Sequence, residues 1–461
     1  MSRILCQDTI KYPNQEVKIC GWVNSLRAHG KIIFIDLRDR SGLAQIVFTP
    51  KCQEYDLSQK IRPEWVVEII GKVQERPKSM ENPKMITGKI EIQAKNLKVL
   101  AKAKTLPFDI ETNGYEINEE KRLKYRYLDL RRQRMKKNLE IRQKVIQYMR
   151  KFLTEKEFIE IETPLLTKST PEGSRDFLVP ARLQKGKFYA LPQSAQQYKQ
   201  MLQIAGIEKY FQVARCLRDE DPRGDRQAEH TQLDIEMSFA SQEEILILIE
   251  KLYIELIKKI FPEKKITQEP FIRMTHKQAM EKYKTDRPDL RKNKKDENEL
   301  AFAFITDFPM FKMHKKDKKW GAEHHPFSKP QTNDIKEIKN HPEKILARQY
   351  DFVLNGQEIG GGSERITDLD ILLTVFEVMG HKKQDIKRNF KNYFDAFQYG
   401  TPPHGGIANG IDRFLAIALN EPNIREVIAF PKTGDNRDLM MDAPAEVSEK
   451  QLKESHIKIR K

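Results

Sequence analysis

Residues 218–239 read RDEDPRGDRQAEHTQLDIEMSF, a charge-dense stretch that runs straight into an alternating one. Few local folds are open to such a pattern. Successive side chains of an extended chain point to opposite sides. The alternation therefore sets Leu233, Ile235, Met237 and Phe239 on one face of a strand and Gln232, Asp234, Glu236 and Ser238 on the other. Residues 210–217 read as a second strand ending at Arg218, so the charged residues form the loop of an antiparallel pair. On the residues alone, two readings of this hairpin stay open. One is a surface ribbon laced with ion pairs, which contribute little when solvated. The other is a row of acids behind an arginine-rich loop, suited to holding a phosphate and a cationic amine together.

A chain of 461 residues exceeds what one core organises, so two or three domains are expected. Short strand-like runs at 17–23, 32–37, 44–48, 65–73 and 89–100, separated by turn signals, predict a small Greek-key barrel of the oligonucleotide-binding kind over 1–104. Residues 105–132, with Pro107, Gly114 and a basic run at 131–134, read as a polar hinge. A helix is expected over 133–156, with Leu139, Val145, Ile146, Met149 and Leu153 near helical spacing, and another over 245–260. The second domain spans 133–445 and mixes strands and helices, which makes the fold class α+β. Within it 287–299 reads as a solvated loop, and 446–461 as a tail.

The excess of 83 Lys+Arg over 67 Asp+Glu, a net charge of +16, suits a polyanionic partner, although a lysine-rich proteome would produce it too. No apolar run reaches bilayer-spanning length, and the first residues do not read as a signal peptide, so a soluble, cytoplasmic protein with no membrane partner is expected. Cys6, Cys20, Cys52 and Cys216 form no C-x-x-C pair and read as reduced, small hydrophobic residues.

Taken as motifs, Arg218-Asp219-Glu220-Asp221, Arg223, Asp225-Arg226-Gln227 and Thr231-Gln232-Leu233-Asp234 resemble motif 2 of the bacterial aspartyl-tRNA synthetases, which are class II enzymes. The stretch 158–166, with Pro164, resembles their motif 1. Residues 170–177 resemble their flipping loop, and 405–413 their motif 3. Residues 21–24 and 34–39 are similar to their anticodon-binding barrel. Several motifs in one order are far more specific than a lone glycine pattern.

The resemblance implies an enzyme that activates L-aspartate with ATP and Mg²⁺ and transfers it to tRNA-Asp. It implies a catalytic domain built on an antiparallel sheet flanked by helices, and a homodimer formed through motif 1. Arg218, Glu220 and Arg413 are its implied catalytic residues, Arg218 bridging the α-phosphate and the substrate carboxylate and Arg413 neutralising the γ-phosphate. Aspartate would be held by Arg365 and Lys199 on its side chain and by Asp234 and Gln196 on its ammonium. Ser194 also lines that pocket, and Glu172 and His324 close over it. ATP would further meet Asp219, Glu220, Gln227, His230, Glu358, Gly410, Ile411 and Asp412, with Asp351 and Glu358 as the Mg²⁺ carboxylates. In the barrel, Phe34 would stack on an anticodon base, beside Arg27, His29 and Gln45 as polar readers; an inward, core-filling Phe34 is the structural alternative.

Three departures from the family stand out. The large domain usually inserted after Pro-Asp-Leu-Arg is missing here, where 287–291 pass directly into 300–308. His230 occupies the place of a phenylalanine that stacks on adenine, so a weakened ATP Michaelis constant, pH-sensitive near neutrality, is expected. His29 resembles the non-discriminating members that also charge tRNA-Asn. The alternative function is an inactive paralogue that only binds RNA.

Overall fold

The computed structural model describes residues 1–169, 174–221, 224–314 and 319–460. Two compact units share the chain, Met1–Asp109 and Ile110–Lys461. In the first, β1 (Glu16–His29), β2 (Ile32–Arg38), β3 (Leu43–Phe48), β4 (Val66–Glu75) and β5 (Ile90–Ala101) close into a barrel in the order β1-β2-β3-β5-β4. Alternation sends Val17, Ile19, Ile33, Ile35, Ile46, Val67, Ile69 and Ile92 inward, all fully or almost fully buried. The expected five strands are all present. β1 runs on past the expected end at Val23 because the polar residues up to His29 pair with β2 through their backbone, beyond a register shift between Val23 and Ser25.

The second unit is built on an eight-stranded sheet. Its strands are β6 (Ile159–Glu160), β7 (Lys209–Leu217), β8 (Glu229–Ser238), β9 (Ile272–Thr275), β10 (Phe302–Thr306), β11 (Gln349–Leu354), β12 (Gln357–Glu364) and β13 (His404–Gly410). They lie in the order β9-β10-β11-β12-β13-β8-β7-β6, antiparallel throughout the middle and parallel only at the two edge pairs. The helices are α1 (Gln133–Thr154), α2 (Gln196–Ile204), α3 (Gln242–Ile260), α4 (Leu369–Val378) and α5 (Ile411–Ala418). From α1, α3 and α5, Val145, Met149, Ile249, Leu252, Tyr253 and Phe414 pack against Leu233, Ile235, Phe302, Phe352 and Ile407 of the sheet in one continuous core. α3 starts ahead of its apolar run because Ser241 and Glu244 form a reciprocal capping box. A smaller core around Phe327, Phe376, Phe390 and Tyr393 supports the far end of α2.

Two local expectations need correction, and a third gains detail. The stretch expected as a polar hinge is, in its second half, a buried charge cluster. Arg126 and Arg132 each meet Asp129 at 2.7 Å, and Arg122 meets Glu426 at 2.7 Å. Arginines satisfied by carboxylates bury without any apolar period, so periodicity could not reveal them. The 287–299 segment is an exposed loop over most of its length, as expected, and it also closes on itself, since the Glu299 carboxylate accepts from the amides of Lys292 and Asn293, both at 2.8 Å. Phe239 leaves the apolar face predicted for it; with φ of 56° it ends β8 and is 65% exposed.

Candidate active site

On the sheet face opposite the main core lies a cleft of about 360 Å³, lined by β8, β11, β12, β13, α2 and the loop after β7. The acidic face of β8 forms its floor. The sequence placed Asp234 and Glu236 on a polar face, but that face is buried, and both residues are fully shielded from solvent. Lys199, projecting from α2, lies 2.9 Å from Asp234 Oδ1 and 3.3 Å from Glu236 Oε2. Arg365 donates to both Glu236 oxygens, at 2.8 Å from Nε and 3.1 Å from Nη2, and to Ser363 Oγ at 2.6 Å. Burial alone would raise the Glu236 carboxyl, yet Arg365 and Lys199 hold it down to about 2. Two cations thus face two carboxylates, and Asp234 Oδ2 has no partner among the described residues. Gly406 makes this packing possible, because a Cβ there would overlap the Glu236 carboxylate and the Ile235 carbonyl.

The loop between β7 and β8 frames the other end of the cleft. It is closed by Arg218 N donating to Ala228 O at 2.8 Å, and Arg218 Nε donates to Gln193 O at 3.3 Å. Glu220 accepts from Ser174 Oγ and from Arg226, and Gln227 Oε1 accepts from the Lys432 amide at 2.8 Å. Arg413 donates to Glu358 O and reaches Asp225 at 3.3 Å, while its buried Nε has no partner among the described residues. Asp412 holds the start of β8 by accepting from Thr231 N at 2.8 Å and from Arg142. Burial first, and then the charges of Arg218, Arg413 and Arg215, push the His230 imidazole down to about 3. These surroundings disfavour the charged ring near neutrality, which argues against the expected pH sensitivity.

On β11 and β12, Asp351 and Glu358 face the same glycine gap, each lying within 3.5 Å of where a Gly361 Cβ would be. Burial and then the Glu358 charge push the Asp351 carboxyl well above the usual carboxylate range. Hard carboxylate oxygens that repel one another suit a divalent cation, and Mg²⁺ on phosphates needs only one or two protein carboxylates. His324 Nε2 lies 3.8 Å from Asp351 Oδ2.

Of the residues singled out in sequence, Ser194, Gln196, Lys199, Arg218, Glu220, Gln227, His230, Asp234, His324, Asp351, Glu358, Arg365, Gly410, Asp412 and Arg413 come together around this cleft. Asp219 does not line it, and Ile411 is fully buried in the main core, so no side-chain contact to a ligand is available from Ile411. Glu172 lies outside the described residues. Glu236, Gln200 and His404 were missed. The one legible trace of Glu236 was its place on the polar face of β8, opposite Gly406.

In the barrel unit, Phe34 is half-buried with its parity opposite to inward-facing Ile33 and Ile35, which rules out the core-filling reading. It pairs with Arg27 on one side and Val47 on the other. Arg27 lies 3.2 Å from Asp36, Gln45 donates to Glu91 at 3.5 Å, and His29 is exposed at the end of β1.

A closed five-stranded barrel joined to an antiparallel-centred sheet bearing this cleft matches two family descriptions. The tRNA synthetases class II (D, K and N) match residues 118–434, and the OB-fold nucleic acid binding domain matches residues 17–100. The chain belongs to the class II tRNA synthetases of the D, K and N group. Within that class it is similar to the aspartate–tRNA(Asp/Asn) ligase of Rubrobacter xylanophilus, 39% identical over 96% of this chain and 94% of the relative. The protein of the same name from Dictyoglomus turgidum is 40% identical over 96% of each chain. Both alignments extend over 569 positions against the 461 residues here, so the relatives carry segments that this chain lacks. The fold is shared with an asparaginyl-tRNA synthetase from Pyrococcus horikoshii complexed with asparaginyl-adenylate, at TM-score 0.76, 22% identity and coverage of 95% of this chain and 99% of that one. A putative aspartyl-tRNA synthetase from Leishmania major superposes with TM-score 0.76 at 21% identity, covering 93% of each chain.

Proposed function

We propose that this protein is an aspartate–tRNA ligase. The observation that carries the reading is the cleft floor, where Arg365 and Lys199 stand ready for a side-chain carboxylate while Asp234 keeps one oxygen free for an ammonium. A neutral amide in place of that carboxylate would forgo the attraction of the two buried cations, which disfavours asparagine. The aspartate α-carboxylate oxygen attacks the α-phosphorus of ATP, the bond to the bridging oxygen breaks, and pyrophosphate leaves. A terminal ribose hydroxyl of tRNA then attacks the carbonyl carbon, loses its proton, and AMP departs. Positioning and charge neutralisation dominate such a reaction. Arg218 bridges α-phosphate and carboxylate, and the unpartnered Nε of Arg413 serves the γ-phosphate. Asp351 and Glu358 would hold Mg²⁺, which supplies further neutralisation of phosphate charge. Glu220, Asp412 and Gln227 hold the frame around the nucleotide, His230 stacks uncharged on adenine, and Ser194, Gln196 and His324 enclose the amino acid.

The exposed face of Phe34, with Arg27, His29 and Gln45, reads the anticodon, and His29 favours acceptance of tRNA-Asn beside tRNA-Asp. The missing insertion falls after 287–291, where the chain makes a short self-closed loop. Exposed Ile159, Leu165 and Leu166 around Pro164 support a homodimer. Among the described residues no helix is long and apolar enough to cross a membrane, and a tRNA substrate agrees with a cytoplasmic location. The relatives' names favour an active ligase over an RNA-binding paralogue. Pyrophosphate exchange with ATP and Mg²⁺ tests the proposal: it should require aspartate and fail with asparagine. Exchange without that dependence overturns it. Parallel aminoacylation of tRNA-Asp and tRNA-Asn then decides whether tRNA-Asn is accepted.

A further inference from the structure

Behind the amino-acid end of the cleft runs a chain of buried hydrogen bonds. His404 Nδ1 lies 2.8 Å from Pro402 O, and His404 Nε2 lies 3.0 Å from Gln200 Nε2. Gln200 Oε1 accepts from Gln196 Nε2 at 3.1 Å. Gln200 is fully buried, His404 is 2% exposed and Gln196 is 5% exposed, so solvent cannot substitute for any link.

The sense of every bond in this chain follows from its first member. A carbonyl oxygen only accepts, so Nδ1 of His404 carries the hydrogen. A neutral imidazole then offers only a lone pair at Nε2, and Gln200 must donate to it. That turns Gln200 Oε1 toward Gln196, which must donate in its turn. The Gln196 oxygen is left for the cleft that Gln196 lines. Burial, the leading influence on His404, disfavours its charged form and so agrees with the neutral ring.

We infer that His404 and Gln200 are positioning residues that fix the Gln196 amide with its oxygen toward the cleft, so that Gln196 Oε1 and the unpartnered Asp234 Oδ2 together receive the substrate ammonium. Reversing the chain would aim an NH₂ group at a cation. This rests on the reading of the cleft as an amino-acid site. It extends that reading to two residues that do not line the cleft and whose contribution lies in donor and acceptor sense rather than in shape.

The experiment compares aspartate with succinate, which has the same dicarboxylate skeleton and no ammonium. In aspartate-dependent pyrophosphate exchange, Gln200→Met should raise KM for aspartate about tenfold or more, the size expected for a lost charge-assisted hydrogen bond. KM for ATP and the inhibition constant of succinate should stay within about twofold, because neither ligand uses the Gln196 oxygen. Gln200→Glu, whose carboxylate still accepts from Gln196, should keep aspartate within about threefold of the parent. His404→Leu should repeat the Gln200→Met pattern and serves as the independent variant if Gln200→Met does not fold. Equal weakening of aspartate and succinate, or an unchanged aspartate KM, overturns the inference. A parent protein without aspartate-dependent exchange instead overturns the functional reading beneath it, before any variant is made.

Discussion

At the scale of single residues, the cleft works because opposite charges are assembled before any ligand arrives. Glu236 is the clearest case: buried in isolation it would be protonated, and between Arg365 and Lys199 it stays ionised. His230 shows the reverse. Burial leads and the charges of its arginine neighbours add to it, so the ring stays neutral. KM for ATP should therefore be flat between about pH 5 and 8 as far as this residue is concerned. His230→Phe should leave the shape of the pH profile unchanged. A parent profile that steps near pH 6.5 and flattens in the variant would contradict the neutral ring.

Among the elements, buried polar groups separate satisfied from unsatisfied designs. Glu426 takes bonds from Arg122 at 2.7 Å and from Arg134 at 2.8 Å, tying the segment before α1 and the first turn of α1 to the turn after α5. Glu426→Gln should lower the free energy of unfolding by about 3–5 kcal/mol, because it strands buried guanidinium charge; urea titration reads it. Asn409 is the counter-example. It is fully buried on the same face of β13 as Ile407, and neither side-chain polar atom has a partner among the described residues. Asn409→Leu should stabilise the fold by about 1–2 kcal/mol, seen as a higher urea midpoint with an unchanged slope. Element positions were legible wherever apolar period carried them, as in the barrel strands, α1 and α3. The cluster around Asp129 and Glu426 was not, since charge pairs separated by some three hundred positions leave no local pattern.

For the whole molecule, His230, His325, Glu236 and Glu426 work in one direction, while Asp351, raised by burial and by Glu358, works in the other. His230 and His325 both sit at about 3 when folded, below their ordinary 6.5, so the unfolded chain takes up protons that the fold refuses as pH falls below 6.5. Glu236 and Glu426, held at about 2 by their arginine and lysine partners, contribute stability present above 4.5 and lost toward 2. The melting temperature should accordingly drop steadily below about pH 6, the histidines acting first and the carboxylates later. A melting temperature unchanged down to about pH 4 would contradict these environments. Assembly belongs to the same scale. Sedimentation should find a dimer, and Leu165→Asp, which places a charge on the exposed apolar face around Pro164, should release monomers with reduced exchange activity.

The alternation in 231–238, the barrel's strand periods and the ordered motifs were enough to define the elements, the family and most of the residues around the cleft. These are local properties: a period of two, a capping box or a motif is written within a few residues. The tertiary structure alone decided the state of those residues. It turned the acidic face of β8 from a solvated row into a neutralised floor, kept His230 uncharged, and sent Ile411 to the core. It also gave Gln196 a donor–acceptor sense inherited from a proline carbonyl in a distant loop. Burial and electrostatics depend on which distant segments meet, and one strand cannot encode the charges placed opposite it.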